Sequence, residues 1–149
     1  MNWLPLNTPG HLIGRAARLL TRLADARLKA LGVAGGQIPV LVALQDGSEM
    51  SQSALVQFAR VEQPTMAATL SRMERDGLIR RRPDPDDRRG SLVSLTPEAI
   101  ERLPRVRAAL SGLAREVLEG FDGAEKELLV GLTQRMIANM EKIVTRDES

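Results

Sequence analysis

The stretch from Val61 to Thr96, VEQPTMAATLSRMERDGLIRRRPDPDDRRGSLVSLT, constrains this chain more than any other. With Met66 at zero and an advance of about 100° per residue, Met66, Leu70 and Met73 fall in one narrow sector. Pro64, Thr65, Ala68, Ser71, Arg72 and Arg75 take the opposite side. One face of such a helix packs, and the other is free to meet a partner. Pro64 suits the first helical position, where a missing N–H costs nothing. Gly77 suits the left-handed position just past the end.

After that helix, Leu78-Ile79-Arg80-Arg81-Arg82 and Ser91-Leu92-Val93-Ser94-Leu95 are short, partly alternating runs that predict paired antiparallel strands. The segment between them, Pro83 to Gly90, is rich in turn formers and charge, so it must stay in water. A helix with a small-polar outer face, followed by a hairpin with a basic tip, is the geometry of a winged helix-turn-helix. In that arrangement the helix enters the major groove of a duplex and the wing lies beside or inside the minor groove.

The run Asp84-Pro85-Asp86-Asp87-Arg88-Arg89, closing on Leu92-Val93-Ser94-Leu95-Thr96-Pro97-Glu98 after Arg72-Met73-Glu74-Arg75-Asp76-Gly77-Leu78-Ile79, resembles the multiple antibiotic resistance regulator (MarR) family of bacterial transcription factors. Chain length and the long helices outside the motif extend the likeness over nearly the whole sequence.

Composition narrows the alternatives. The aromatic residues are Trp3, Phe58 and Phe121, in a chain that is 43% hydrophobic. Its core must therefore be Leu, Ala, Val and Met, which suits packed helices better than a β-sandwich. Stacking of single-stranded bases on aromatic platforms is disfavoured for the same reason. The net charge of +2 is unevenly spread: residues 1–31 carry +4, 51–95 carry +2 and 96–149 carry −2. Eighteen of the 21 basic residues are Arg, the side chain that forks onto phosphate or guanine; an Arg-biased proteome would give the same excess. There is no cysteine, which removes disulfides, thiolate zinc sites and thiol oxidation as a signal. Arg15, Arg18 and Arg22 interrupt any apolar run near the N-terminus, and no stretch reaches membrane-spanning length, so the expected location is the cytoplasm.

In chain order, residues 1–10 are expected to form an extended arm. Leu12, Ala16, Leu19, Leu23, Ala26 and Ala30 recur at alternating spacings of 4 and 3. That is the seam a helix presents to a partner, which predicts a dimerisation helix over 11–31. Residues 32–95 are the expected DNA-binding lobe. It starts with a helix opened by Ile38 to Leu44 and a third helix capped by Ser51 and running to about Ala59, with Leu55 and Phe58 inward. The connection Arg60 to Gln63 lacks the glycine common in such turns. Residues 96–149 are the expected C-terminal dimerisation helices. Thr96 caps and Pro97 opens the first of these, with Leu103, Val106, Leu110, Leu113 and Val117 as its stripe and Pro104 as a kink. The second runs from about Ala124 and carries Leu129, Leu132, Met136, Met140 and Ile143. The end segments have more apolar face than a small winged helix covers; a second copy would bury them, and the resemblance implies that homodimer.

For the DNA contacts, Ser51 opens a helix whose N-terminal amides suit a phosphate. Gln63, Pro64, Thr65, Ala68 and Thr69 lie on the recognition helix, where side chains and methyls meet base edges. Arg72 and Arg75 on its outer face suit phosphate or guanine; a solvated face with Arg75 balanced by Asp76 or Glu74 is the plainer alternative. The resemblance implies that Arg89 inserts toward the minor groove, steadied by Asp87, with a solvated hairpin tip as the plainer alternative; Arg88 is a further candidate contact. His11, the only histidine, has no partners for catalysis or metal binding and is expected to be a polar residue preceding the first helix. No metal, cofactor or enzymatic constellation is expected. A weaker constellation is Trp3, His11 and Arg15, which would supply a lid, a polar contact and a carboxylate partner to a small aromatic or phenolic acid, the effector class the resemblance suggests.

The expectation is thus a mainly α chain with a small β-wing: a winged helix-turn-helix plus terminal dimerisation helices. Its function would be sequence-specific binding of double-stranded DNA as a homodimeric, ligand-responsive repressor on a pseudo-palindromic operator. The alternative is a winged-helix protein-interaction module that never binds DNA. Arg88 and Arg89 argue against it, since acidic residues would be expected at such a wing.

Overall fold

The helix and hairpin singled out in the sequence share one core with four other helices, and the order of elements follows the sequence closely. A computed structural model describes residues 5–149; Trp3, expected as a lid over an effector, lies outside the described residues. Six α-helices are present: α1 (Pro9–Leu28), α2 (Ile38–Ala43), α3 (Gln52–Ala59), α4 (Gln63–Arg75), α5 (Pro97–Val117) and α6 (Gly123–Asp147). Three strands, β1 (Met50–Ser51), β2 (Ile79–Asp84) and β3 (Asp87–Leu95), form one antiparallel sheet in the order β1-β3-β2. The chain divides into two compact units, the first ending at Leu113 and the second running from Ala114 to Ser149.

In the first unit, Leu28, Leu44, Leu55, Met66, Leu70, Met73, Leu78 and Val93 are fully buried. They form one contiguous core with Val40, Leu41, Ile79, Leu95, Ala99 and Val106. The sector expected to pack on α4 is the sector that packs. Thr96 joins three elements. Its hydroxyl donates to the Gly77 carbonyl (2.7 Å) and accepts from the Ala99 amide (3.2 Å), while its own amide donates to the Leu78 carbonyl (3.0 Å). One side chain therefore caps α5 and ties it to the turn that ends α4. Gly77, at φ +72°, occupies the left-handed position after α4.

Several expectations are corrected. Residues 5–10 are not an extended arm: Pro5–Asn7 form a 3-10 turn and α1 begins at Pro9. The Thr8 hydroxyl caps α1 by accepting from the His11 amide (3.3 Å), and a proline opens the helix. His11 therefore lies inside the first turn of α1. Helix α4 starts at Gln63, one residue early, so Pro64 is its second residue. Phe58 does not face inward but is 52% exposed. The face of α3 that packs runs through Leu55, Ala59 and Val56, and Phe58 lies about 100° from its centre. Thr69 is buried with the packing arc, and its hydroxyl donates to the Thr65 carbonyl (2.9 Å). Val117 is exposed, so the α5 stripe ends at Leu113.

The missing glycine between α3 and α4 is met by Arg60, the one non-glycine residue with positive φ (+53°) among the described residues. Helix α5 runs unbroken through Pro104. Along α1 the seam residues Leu12, Leu19 and Leu23 stay exposed, and Ala24 and Leu28 alone are buried. The second unit contains α6, capped reciprocally by Asp122 and Glu125 (2.8 and 2.9 Å). None of its side chains is buried; Leu129, Leu132, Met140 and Ile143 are exposed.

Candidate nucleic-acid interface

The outer face of α4 is open along its length. Gln63, Pro64, Thr65, Ala68, Ser71, Arg72 and Arg75 are all exposed, whereas Met66, Thr69, Leu70 and Met73 hold the helix down. Thr69 is therefore removed from the candidate contacts, because a buried hydroxyl bonded into its own helix has nothing left to offer. Arg75 pairs with Asp76 (3.0 Å), which holds its guanidinium above its ordinary pKa. Arg72, on the same face, makes no ion pair among the described residues. Its charge is thus free for an external anion.

At the start of α4 the structure adds a residue that the sequence reading missed. Gln52, the first residue of α3, donates from Nε2 to Oε1 of Gln63, the first residue of α4 (3.2 Å). The two helix starts are thereby joined through side chains, and Gln63 keeps its own amide donors free. Matching first positions of the two helices were the available signal. Ser51 caps α3 by accepting from the Ala54 amide (3.2 Å), and as part of β1 it pairs with Leu92. Its hydroxyl oxygen serves as the cap acceptor, and an anion there would be met by the free amides of the first turn and by the hydroxyl's remaining O–H donor.

The wing is longer than expected. Strands β2 and β3 pair from Ile79↔Leu95 to Pro83↔Ser91, then slip so that Asp84 faces Asp87, with only Pro85 and Asp86 at the tip. Arg88, Arg89 and Gly90 consequently have no counterpart on β2. Residues in such a bulge are turned away from the ladder. Gly90 suits the close approach here, since a Cβ there would lie 3.1 Å from the Asp87 carboxylate. Asp87 accepts from the Arg89 backbone amide (3.0 Å), so it steadies the main chain of Arg89 and leaves the guanidinium unengaged. Neither Arg88 nor Arg89 makes an ion pair among the described residues.

Two of the three arginines on β2 are committed to the lobe, while Arg80 is exposed and makes no ion pair among the described residues. Arg81 pairs with Glu74 of α4 (3.1 Å), and Arg82 with Glu49 just before β1 (2.6 Å). The Arg82 hydrogen bond holds the Glu49 carboxyl below the ordinary glutamate range.

An apolar cavity of about 140 Å³ opens between α2 and α5, lined by Ile38, Leu41, Val42, Leu103, Val106 and Leu110. Polar contacts are supplied by Arg107, which donates to Gln45 (2.9 Å), and by Ser111. Neither His11 nor Arg15 lines it, so the constellation expected to bind an effector is not gathered around this cavity. Its lining comes from segments about sixty residues apart, which no local pattern reveals. Among the described residues there is no cluster of His, Cys, Asp or Glu able to hold a metal, and no helix is long and apolar enough to cross a membrane.

Residues 31–90 match the MarR family model. The chain is 32% identical over 117 residues to YwoH, an HTH-type transcriptional regulator of Bacillus subtilis strain 168, covering 78% of this chain and 85% of the relative. The chain belongs to the MarR family of transcription regulators. A MarR variant from E. coli solved with operator DNA superposes with a TM-score of 0.79 at 24% identity, covering 89% of this chain and 94% of the other. BpsR of Bordetella bronchiseptica, whose DNA binding is regulated by 6-hydroxynicotinic acid, superposes at 0.82 and 24% identity, covering 91% and 97%. A probable transcriptional regulator from Pseudomonas aeruginosa does so at 0.79 and 28%, covering 87% and 97%. These neighbours share the mainly helical fold with its small β-wing.

The Glu49–Arg82 pair carries a pH signature. Because the folded-state pKa of Glu49 is depressed, its contribution is present above the unfolded value and is lost as pH falls through the folded one. A carboxyl NMR titration should place its midpoint below that of an ordinary glutamate, and Arg82→Gln should return it upward. An unshifted midpoint would mean that the pair does not persist in solution.

Proposed function

We propose that this regulator binds double-stranded DNA as a homodimer, represses transcription from a pseudo-palindromic operator, and is released by a small aromatic or phenolic acid. The carrying observation is that the open face of α4 and the bulged wing tip present Arg72, Arg88 and Arg89 without ion-pair partners on one lobe. Gln63, Pro64, Thr65 and Ala68 enter the major groove, with Gln52 positioning Gln63. Arg72, Arg75 and the amides after Ser51 hold phosphates, and Arg89 reaches the minor groove with Arg88 beside it and Asp87 fixing its backbone. This role requires no enzymatic step, no cofactor and no membrane, and its place is the cytoplasm. Residues 32–95 act as the DNA-binding lobe; 11–31 and 96–149 carry dimerisation.

On a labelled operator duplex, Arg89→Ala and Arg72→Ala should each weaken binding by about 1–3 kcal/mol with the fold intact. Arg72→Ala should do so for all sequences alike and flatten the salt dependence. Gln63→Ala should instead relax preference at one base position, and Gln52→Ala should relax the same position, with the double variant little worse than either single one. Unchanged binding by Arg89→Ala would reduce the wing to a hairpin tip; a protein that binds no duplex at all would favour the protein-interaction reading.

Two copies would cover the exposed apolar faces of α1 and α6. Their recognition helices would then meet half-sites about 34 Å apart. Sedimentation should give twice the chain mass at micromolar concentration, and Leu132→Asp should dissociate or unfold the protein, because an unpaired buried charge costs several kcal/mol. A folded, stable wild-type monomer would be incompatible with this reading.

The α2–α5 cavity is the better seat for an aromatic acid than the Trp3, His11 and Arg15 constellation. Its walls are apolar and Arg107 offers a carboxylate partner. A neighbour regulated by 6-hydroxynicotinic acid supports that ligand class. Titrating the protein–operator complex with salicylate should release DNA reversibly, with Arg107→Gln requiring more ligand. Release weakened by Arg15→Ala instead would restore the earlier constellation. Release by peroxide alone would overturn a binding-based signal in a chain without cysteine.

A further inference from the structure

We infer a second small-molecule site, a seat for a small dianion such as phosphate or a phosphate monoester, where the end of α1 meets the first half of α5. Lys29, Ala30, Leu31, Gly32, Arg102 and Arg105 line one open depression of about 420 Å³, with three cationic side chains and no carboxylate in the lining. Glu98 and Glu101 precede Arg102 and Arg105 by one helical turn, the spacing at which helix ion pairs form. Neither pair is made: Lys29, Arg102 and Arg105 have no ion-pair partner among the described residues.

Of the three cations, only Arg102 helps to cap the chain end beside them. The Lys29 carbonyl accepts from the Gly32 amide (3.1 Å), the Leu28 carbonyl from the Val33 amide (3.3 Å), and the Leu31 carbonyl from Arg102 Nη1 (3.3 Å). That last bond fixes Arg102 at the rim. Gly32 leaves it room, since a Cβ there would stand 3.0 Å from Nη1. Gly32 also needs no strain to do so, because at φ +67° it is the residue type suited to the position. Three like charges around one concavity repel one another until a counter-charge enters. A guanidinium fork matches the oxygens of phosphate, and lysine adds a point charge.

Two other occupants fit less well. An aromatic acid would find only Ala30 and Leu31 as apolar wall, and neither Arg102 nor Arg105 lines the apolar cavity of Leu103, Val106 and Leu110. Operator phosphates are assigned to Arg72, Arg75 and the amides after Ser51, and none of these residues lines the depression. A free small anion is the remaining source of the charge.

The test is calorimetric titration of the intact protein, without DNA, with inorganic phosphate at constant ionic strength. Saturable binding is expected, weakened at least about tenfold in Lys29→Gln and in Arg105→Gln, each of which loses a charge-assisted contact. Lys142→Gln on α6, which removes one positive charge elsewhere, should bind as the wild type does. Circular dichroism without phosphate should be the same for all variants, since Lys29 and Arg105 are exposed. Phosphate acting no differently from chloride, undiminished binding in the Lys29→Gln/Arg105→Gln double variant, or equal weakening by Lys142→Gln would each overturn the site. None of these outcomes bears on whether the lobe binds DNA.

Discussion

Burial of one arc of α4 is the constraint on which the interface depends. Met66, Thr69, Leu70 and Met73 are inserted into the core of the first unit, and a rigid helix that buries one arc has no freedom in which arc it exposes. The positions that face outward are small or polar near the N-terminus, from Gln63 to Ala68, and basic near the C-terminus, at Arg72 and Arg75. Packing energy thus sets the orientation of a recognition surface that contributes nothing to packing. Removing one fully buried leucine or methionine from this arc would cost about 2–5 kcal/mol, a sizeable share of the ordinary stability of a domain. The exposed residues can change without that cost.

That seating is transmitted to the wing through the turn at Gly77 and the hydroxyl of Thr96. Leu78 and Ile79 are buried immediately after the turn, so β2 is anchored in the core at its first residue and is exposed or half-buried from Arg80 onward. Arg81 reaches back to Glu74 on α4 and Arg82 to Glu49 beside β1. Both pairs are exposed, and surface pairs of this kind contribute little stability. Their consequence is positional: they tie the middle of β2 to its two neighbours on the lobe.

Most of this organisation was legible in the sequence, for identifiable reasons. The period of α4, the caps at Ser51, Thr96 and Gly77, and the exposed seam of α1 are local patterns, and the structure carries each of them. What was not legible depends on contacts or on very short elements. Strand β1 has two residues, too few for any alternation. Pro83 and Asp84 look like loop formers, yet proline favours extended backbone at the edge of a sheet, so β2 runs on through them. Thr8 followed by Pro9 is a helix-start signal outweighed by the prolines around it. Thr69 sits at the margin of the packing arc, where angle alone does not decide burial, and Phe58 is turned out because Val56 and Ala59 take the inward positions. The α2–α5 cavity is a tertiary product, so residues near the N-terminus could not substitute for its lining.

The distribution of arginine explains why a chain of net charge +2 can still favour a polyanion. Pairing with Asp76, Glu74 and Glu49 neutralises Arg75, Arg81 and Arg82, while Arg72, Arg88 and Arg89 stay unpaired on the same lobe. The three acidic residues nearest the tip, Asp84, Asp86 and Asp87, would be expected to cancel the last two. Instead Asp84 and Asp87 turn their carboxylates onto backbone amides, of Asp86 (2.9 Å) and Arg89 (3.0 Å). Aspartate at these positions shapes the turn while leaving the guanidinium groups free. A carboxylate that hydrogen-bonds its own main chain still attracts cations through space, but in water that attraction is weak and screened. The direct fork between guanidinium and an external phosphate is stronger. The acidic tip is therefore compatible with a basic wing, because geometry assigns two of its three carboxylates to the backbone.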